Sequence, residues 1–228
     1  MPVLVIGNKN YSSWSMRPWV LMRQAGIVFE ERMVRFDGFG AGSGFKQSLQ
    51  GVSPTGKVPV LLGDDGLVVW DTLAIAETLA EQYPQHGVWP ADPVARATAR
   101  SACAEMHAGF QALRSHCPMN IEARLPEVGA LIWRDQPGVR ADVERLCALW
   151  TGLLERYAGP MLFGSFSAAD AFFAPVCMRL RTYALPVPPA VADYVERVAA
   201  LPGVAAWIDG ALAEQDFRDF EEPYRLAR

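Results

Sequence analysis

Three serines, Ser12, Ser13 and Ser15, cluster in a polar stretch just ahead of Met16, Trp19, Val20, Met22 and Ala25, whose spacing is helical. A hydroxyl beside the unpaired N–H groups and positive dipole end of a helix favours negative charge. The same residues also suit plain capping and turning of the chain, Ser15 above all. A second such place is Asp71-Thr72, which precedes Leu73, Ile75, Ala76 and Leu79 at helical spacing. It reads as an N-cap pair or as a site for a ligand with charged ends. Lys46 and Lys57 are two of only three lysines, Lys9 being the other, and all lie in the first quarter of the chain.

Further along, His107, Gln111 and Arg114 recur at i, i+4 and i+7, which predicts one helical face that either orients a polar or anionic molecule or meets solvent. Beside it, Cys103, Met106, Phe110, Leu113 and Cys117 form a stripe that reads chiefly as core. Cys103 with His107, and His116 with Cys117, lack the second well-spaced pair that zinc requires, so no metal site is expected. No cysteine sits in a Cys-x-x-Cys pair, and all four, including Cys147 and Cys177, read as buried thiols. The run Gly38-Phe39-Gly40-Ala41-Gly42-Ser43-Gly44 lacks a complete Gly-x-Gly-x-x-Gly and does not join a strand directly to a helix, so it fails as a dinucleotide fingerprint.

The elements that must position these groups follow from patterning. Val3 to Ile6, ended by Gly7 and Asn8, predicts a strand buried on both faces. A helix over Met16 to Ala25 follows, with Pro18 in its first turn and Gly26 as its stop, then a second strand over Val28 to Val34 parallel to the first. A glycine-rich loop leads to a helical turn near Phe45 to Leu49. Val58 to Leu62 and Leu67 to Trp70 flank Gly63-Asp64-Asp65-Gly66 as a β-hairpin, and a helix runs from Thr72 towards Tyr83-Pro84. From Asp92 onward, helical stretches near 93–117, 123–133, 139–158, 168–182, 189–200 and 203–213 come with no convincing strand. The expected division is a β-α-β-α-β-β-α domain over 1–83, a linker at 84–91 and an all-α domain over 92–228.

With 228 residues, 51% of them hydrophobic and 20% charged, the chain has ample core material and is not dominated by disorder. A net charge of -4 argues against an electrostatically driven nucleic-acid partner. No apolar run approaches the roughly 20 residues of a membrane span. The opening residues lack the flanks of an export signal, so a cytoplasmic protein is expected.

The order of elements, together with four motifs, resembles the cytosolic glutathione S-transferase family. Tyr11-Ser12-Ser13-Trp14-Ser15-Met16-Arg17 is similar to the serine loop of its zeta and theta branches, and Ser53-Pro54-Thr55-Gly56-Lys57-Val58-Pro59 to the segment entering its third strand. Asp71-Thr72-Leu73-Ala74-Ile75 resembles the start of its third helix, and Phe166-Ser167-Ala168-Ala169-Asp170 its capping box and staple. The resemblance implies a thioredoxin-like first domain with glutathione as co-substrate, Ser12 or Ser13 as catalytic serine, and a cis Val58-Pro59 bond that turns Val58 towards the ligand's backbone. It also implies ligand contacts from Ser15, Lys46, Lys57, Asp71 and Thr72, and a second-substrate pocket drawing on Trp14, His107, Phe110 and Arg114. Trp14 stands where the zeta pattern Ser-Ser-Cys-Ser has cysteine, and no cysteine precedes Cys103, so glutaredoxin-like and omega-type chemistry is not available in the first domain.

The function implied is activation of the glutathione thiol for attack on a small electrophile by a homodimer with neither nucleic-acid nor membrane partners. The alternatives are glutathione-dependent isomerisation or dehalogenation of a small organic acid, and a transferase-like interaction module without catalysis.

Overall fold

A computed structural model describes residues 1–228. Its first part runs β1 (Val3–Ile6), α1 (Ser13–Gln24), β2 (Glu30–Met33), α2 (Gly44–Ser48), β3 (Val60–Leu62), β4 (Val68–Trp70) and α3 (Thr72–Gln82). The sheet order is β2-β1-β3-β4, with β1 parallel to β2 and the other pairs antiparallel. Leu4, Val5 and Ile6 are fully buried, as a strand covered on both faces requires. Helix α1 begins earlier than its apolar spacing suggests, because Ser13, Trp14 and Ser15 already form its first turn, and it ends before Gly26 at φ 72°. Strand β2 is shorter than Val28 to Val34, since only Glu30 to Met33 pair with β1.

The second part is helical: α4 (Pro93–Ala108), α5 (Gln111–His116), α6 (Pro126–Asp135), α7 (Pro137–Tyr157), α8 (Ala168–Tyr183), α9 (Pro189–Ala200) and α10 (Pro202–Glu214). The expected helix over 93–117 is in fact two. Gly109 is extended and Phe110 takes the left-handed φ of 57°, so the chain turns between α4 and α5 and the i, i+4, i+7 face does not exist as one surface. The apolar stripe survives the break, because Cys103, Met106, Phe110, Leu113 and Cys117 are all buried. All four cysteines are free and buried.

Helix α8 is the central post, with 15 of its 16 residues buried. Its capping box closes as the Ser167/Asp170 spacing predicts: Asp170 Oδ2 accepts from Ser167 N–H at 2.9 Å, while Oδ1 accepts from Leu162 N–H at 3.1 Å and from the Tyr194 hydroxyl at 2.9 Å. One continuous apolar core joins α1 and α3 to α4, α7, α8, α9 and α10, so the two parts are fixed against each other. A smaller cluster under Phe36, Phe45 and Leu49 covers the other face of the sheet.

Candidate functional site

Two adjoining cavities lie where α1 meets the helical part, one of about 510 Å³ and one of about 380 Å³, and Trp14, Lys57 and Val58 border both. Ser12 and Ser13 line the larger; Pro59, Asp71 and Thr72 line the smaller. The 53–59 segment is shaped by Ser53, whose Oγ accepts from Lys57 N–H at 3.0 Å and donates to Lys57 C=O at 2.7 Å. Beyond it the Val58-Pro59 peptide is cis, and the Val58 main chain makes no hydrogen bond within the protein.

Ser12 occupies the N-cap position of α1 without capping it through its side chain. Its Oγ lies 2.7 Å from Ser15 Oγ, which in turn accepts the Gly7 N–H at 3.1 Å. Ser15 is therefore not the helix cap; it ties the first turn of α1 to the end of β1. The approach is close, since a Cβ at Gly7 would stand 2.4 Å from the Phe36 ring and 3.3 Å from Ser12 Oγ. Ser13 is half-buried, and its Oγ accepts from Arg179 Nη2 at 3.2 Å.

At the start of α3, Asp71 has φ 73° and its Oδ1 accepts from Leu73 N–H at 3.0 Å. Its Oδ2 meets His107 Nε2 at 3.2 Å. Burial pulls the His107 pKa below its ordinary value, together with Arg17 and Arg114 and against the pull of Asp71. Thr72 is buried and its hydroxyl has no partner.

A wall of guanidinium groups surrounds Trp14. Arg17 lies over its ring at 4.2 Å and Arg114 at 4.9 Å, while Arg179 reaches Ser13 from α8. None of the three is in an ion pair. Arg17 is only 2% exposed, with Nε and Nη1 unpartnered. Burial, with repulsion from Arg114 and Arg179 second, brings its pKa down to about 9, and burial brings Arg179 to about 10. All three remain cationic at neutral pH.

The chain beyond α10 returns over the larger cavity. Tyr11 donates to Glu222 at 2.7 Å, Asn120 donates to the same carboxylate at 2.8 Å, and Asp216 accepts from Asn8 at 2.9 Å and Arg35 at 2.6 Å. Phe220 meets Phe39 of the glycine-rich loop at 5.5 Å, edge to face. Burial first, and the Glu222 hydrogen bond second, push the Tyr11 pKa up to about 12. Its proton is committed to the tail, so Tyr11 is a poor donor to a ligand even though it borders the cavity.

Of the residues expected at a site, Ser12, Ser13, Trp14, Lys46, Lys57, Val58, Pro59, Asp71, Thr72 and Arg114 border the two cavities. Lys46 Nζ is engaged with Gly56 C=O at 2.5 Å, whereas the Lys57 ammonium has no hydrogen bond or ion pair in the chain. Ser15 lies behind Ser12, His107 behind Asp71, and Phe110 in the core, so none of these three borders the space. Arg17, Arg179 and Glu221 were not anticipated. The signal for Arg179 was its place as the charge that ends the apolar run Ala171 to Met178 in α8, but Glu221 follows a tail with no periodic pattern.

Residues 11–82 match the family model for the glutathione S-transferase N-terminal domain, and residues 95–210 match the one for its C-terminal domain. A glutathione S-transferase of the zeta class from Euphorbia esula is 28% identical over 168 residues, 72% of this chain and 70% of that protein. A probable maleylacetoacetate isomerase from Caenorhabditis elegans is 37% identical over 70 residues, but this match spans only 31% of the chain and 32% of that protein. Among solved structures, a glutathione transferase homologue from Burkholderia gl BGR1 with bound glutathione superposes with TM-score 0.68 at 29% identity, covering 93% of this chain and 98% of that one. Glutathione transferase from Methylococcus capsulatus shares the fold at TM-score 0.68 and 24% identity, over 93% of this chain and 100% of that one. Two domain matches in their expected order, laid over a cleft that both domains build, place this chain in the glutathione S-transferase family.

Proposed function

We propose that the protein is a serine-type glutathione transferase, in which the Ser12 hydroxyl holds the glutathione sulfur as thiolate and the larger cavity presents a small electrophile to it. The observation that carries this reading is the meeting of the α1 N-terminus, the unpaired Val58 main chain and the orphaned Thr72 hydroxyl on one cleft. The N–H and C=O of Val58 suit the tripeptide backbone laid alongside as a short added strand. Asp71 takes the γ-glutamyl ammonium, and Thr72 with the first N–H groups of α3 takes the neighbouring carboxylate. Lys57, the unpaired cation at the junction of the cavities, attracts the glycyl carboxylate, with Lys46 next to it.

A free thiol, with a pKa of about 8.5, is mostly protonated at neutral pH. In the chain alone Ser12 donates to Ser15 Oγ, which also accepts the Gly7 N–H. With glutathione in place, rotation of the two hydroxyls would let Ser15 donate to Ser12 and Ser12 to sulfur. The dipole of α1 adds to the same preference. Ser13, whose oxygen is held by Arg179, is the neighbouring candidate.

A second reading has a specific observation in its favour. Two guanidinium groups without a carboxylate partner, Arg114 and Arg179, border the larger cavity and suit an acidic second substrate, and with it isomerisation or dehalogenation in which glutathione is regenerated. An interaction module has no use for the unpaired groups that converge here. Retention on immobilised glutathione, followed by turnover of a chlorinated dinitrobenzene by the wild type and Ser12→Ala, tests the proposal. It fails if the protein does not bind glutathione, or binds it and consumes none with any electrophile.

A further inference from the structure

Glu221 is the one carboxylate of the 214–222 tail with no hydrogen bond or ion pair. Glu214 accepts from Lys9 N–H, Asp216 from Asn8, Arg35 and Arg218, Asp219 from Phe220 N–H, and Glu222 from Tyr11 and Asn120. Its neighbours on either side are anchored, Glu222 to Tyr11 at 2.7 Å and Phe220 against Phe39 at 5.5 Å, so its position is fixed although its carboxyl group is not engaged. That group is half-buried and borders the cavity shared by Ser12, Ser13, Arg114 and Arg179. An unpaired carboxyl group held on the wall of a reaction cavity is placed to exchange a proton with what the cavity contains.

We infer that Glu221 is the general acid for conjugate addition, supplying the proton that an α,β-unsaturated carbonyl acceptor requires after attack by sulfur. The inference rests on the proposed thiol-activating reading of the cleft. The thiol proton is released to solvent when the thiolate forms. The sulfur electron pair forms the S–C bond at the β carbon, and the C=C π pair moves onto the carbonyl oxygen as an enolate, a negative charge that Arg114 and Arg179 are placed to stabilise. The enolate pair then takes the Glu221 proton at the α carbon, the carbonyl reforms, and the carboxylate regains a proton from water.

Burial pushes the Glu221 pKa up to about 7; Arg179 opposes the rise and Glu222 adds to it. The charged groups around it are Arg179 from α8, Arg114 from α5, Lys46 from α2, Lys57 ahead of β3 and Glu222 beside it. The protonated form is present below about pH 7 and lost above it. Acid catalysis by this group therefore declines as pH rises through neutrality, while the thiolate fraction increases.

The test compares two electrophiles with saturating glutathione. A chlorinated dinitrobenzene expels chloride and needs no proton at carbon; an α,β-unsaturated ketone does. Glu221→Gln is expected to lower kcat for the ketone on the order of 100-fold more than for the chloroarene and to remove the decline of ketone turnover above neutral pH, with partial recovery in Glu221→Asp. Equal effects on the two electrophiles, a pH profile unchanged in Glu221→Gln, or a wild type that conjugates the chloroarene but not the ketone each overturns the role of Glu221 alone. A wild type that conjugates neither overturns the thiol-activating reading as well.

Discussion

At the residue scale, the proposed function rests on a few unsatisfied groups. Ser12→Ala removes the proposed donor to sulfur but leaves the helix dipole and backbone N–H groups, so turnover with a model electrophile should fall about 100-fold while glutathione affinity changes little. Steady-state kinetics at varied glutathione checks the split, and a silent Ser12→Ala beside a crippled Ser13→Ala would move the role to Ser13. For Asp71 the informative variant is Asn, which keeps a side chain able to cap α3 and tolerate φ 73° while removing the charge. Calorimetric titration should show glutathione bound about tenfold more weakly or worse with melting nearly unchanged. Unaltered affinity would take Asp71 out of the site. The serine cluster and Asp71-Thr72 were legible as local patterns at the start of helices, whereas the cis Val58-Pro59 bond was implied by the family resemblance alone. Glu221 was not legible, because what marks it is a place on the cavity wall without a partner, and a missing partner is visible only once the neighbours are in place.

At the element scale, α8 is held by its capping box and by one close approach. Asp170→Ala would strand Leu162 N–H, Ser167 N–H and the Tyr194 hydroxyl in the core, at a cost of about 2–4 kcal/mol. A melting temperature equal to that of the wild type would contradict the assignment. Gly129 of α6 marks the close approach, because a Cβ there would stand 1.8 Å from the Tyr183 carbonyl oxygen. Gly129→Ala should therefore force the two helices apart and destabilise by about 1–3 kcal/mol or more. Gly152 of α7 has nothing within 4 Å, so Gly152→Ala should stabilise by about 0.5–1 kcal/mol. Thermal melts of the two variants should move in opposite directions. The capping box was readable from Ser167 and Asp170 three apart, and helix periods gave the other elements to within a few residues. The break between α4 and α5 was hidden because Phe110 keeps its apolar side chain in the core while its backbone turns left-handed.

At the scale of the whole molecule, one continuous core joins the serine helix to the helical domain that carries the arginines, the smaller cluster under the other face of the sheet holds Val58, and the tail closes the far side of the cavity. The chain is also proposed to form a two-fold homodimer. Light scattering should give about twice the 25.0 kDa chain mass, and a monomer at micromolar concentration would reject the dimer without altering the chemistry. The central claim is that the cleft binds glutathione and ionises its thiol through Ser12. Ultraviolet difference absorption of the bound thiolate, titrated against pH in the wild type and Ser12→Ala, tests it most directly. The account predicts a thiolate band already present near neutral pH in the wild type and shifted towards the free-thiol range, near a pKa of about 8.5, in Ser12→Ala. Bound glutathione that stays protonated at neutral pH in the wild type, or titrates alike in the two proteins, would contradict it.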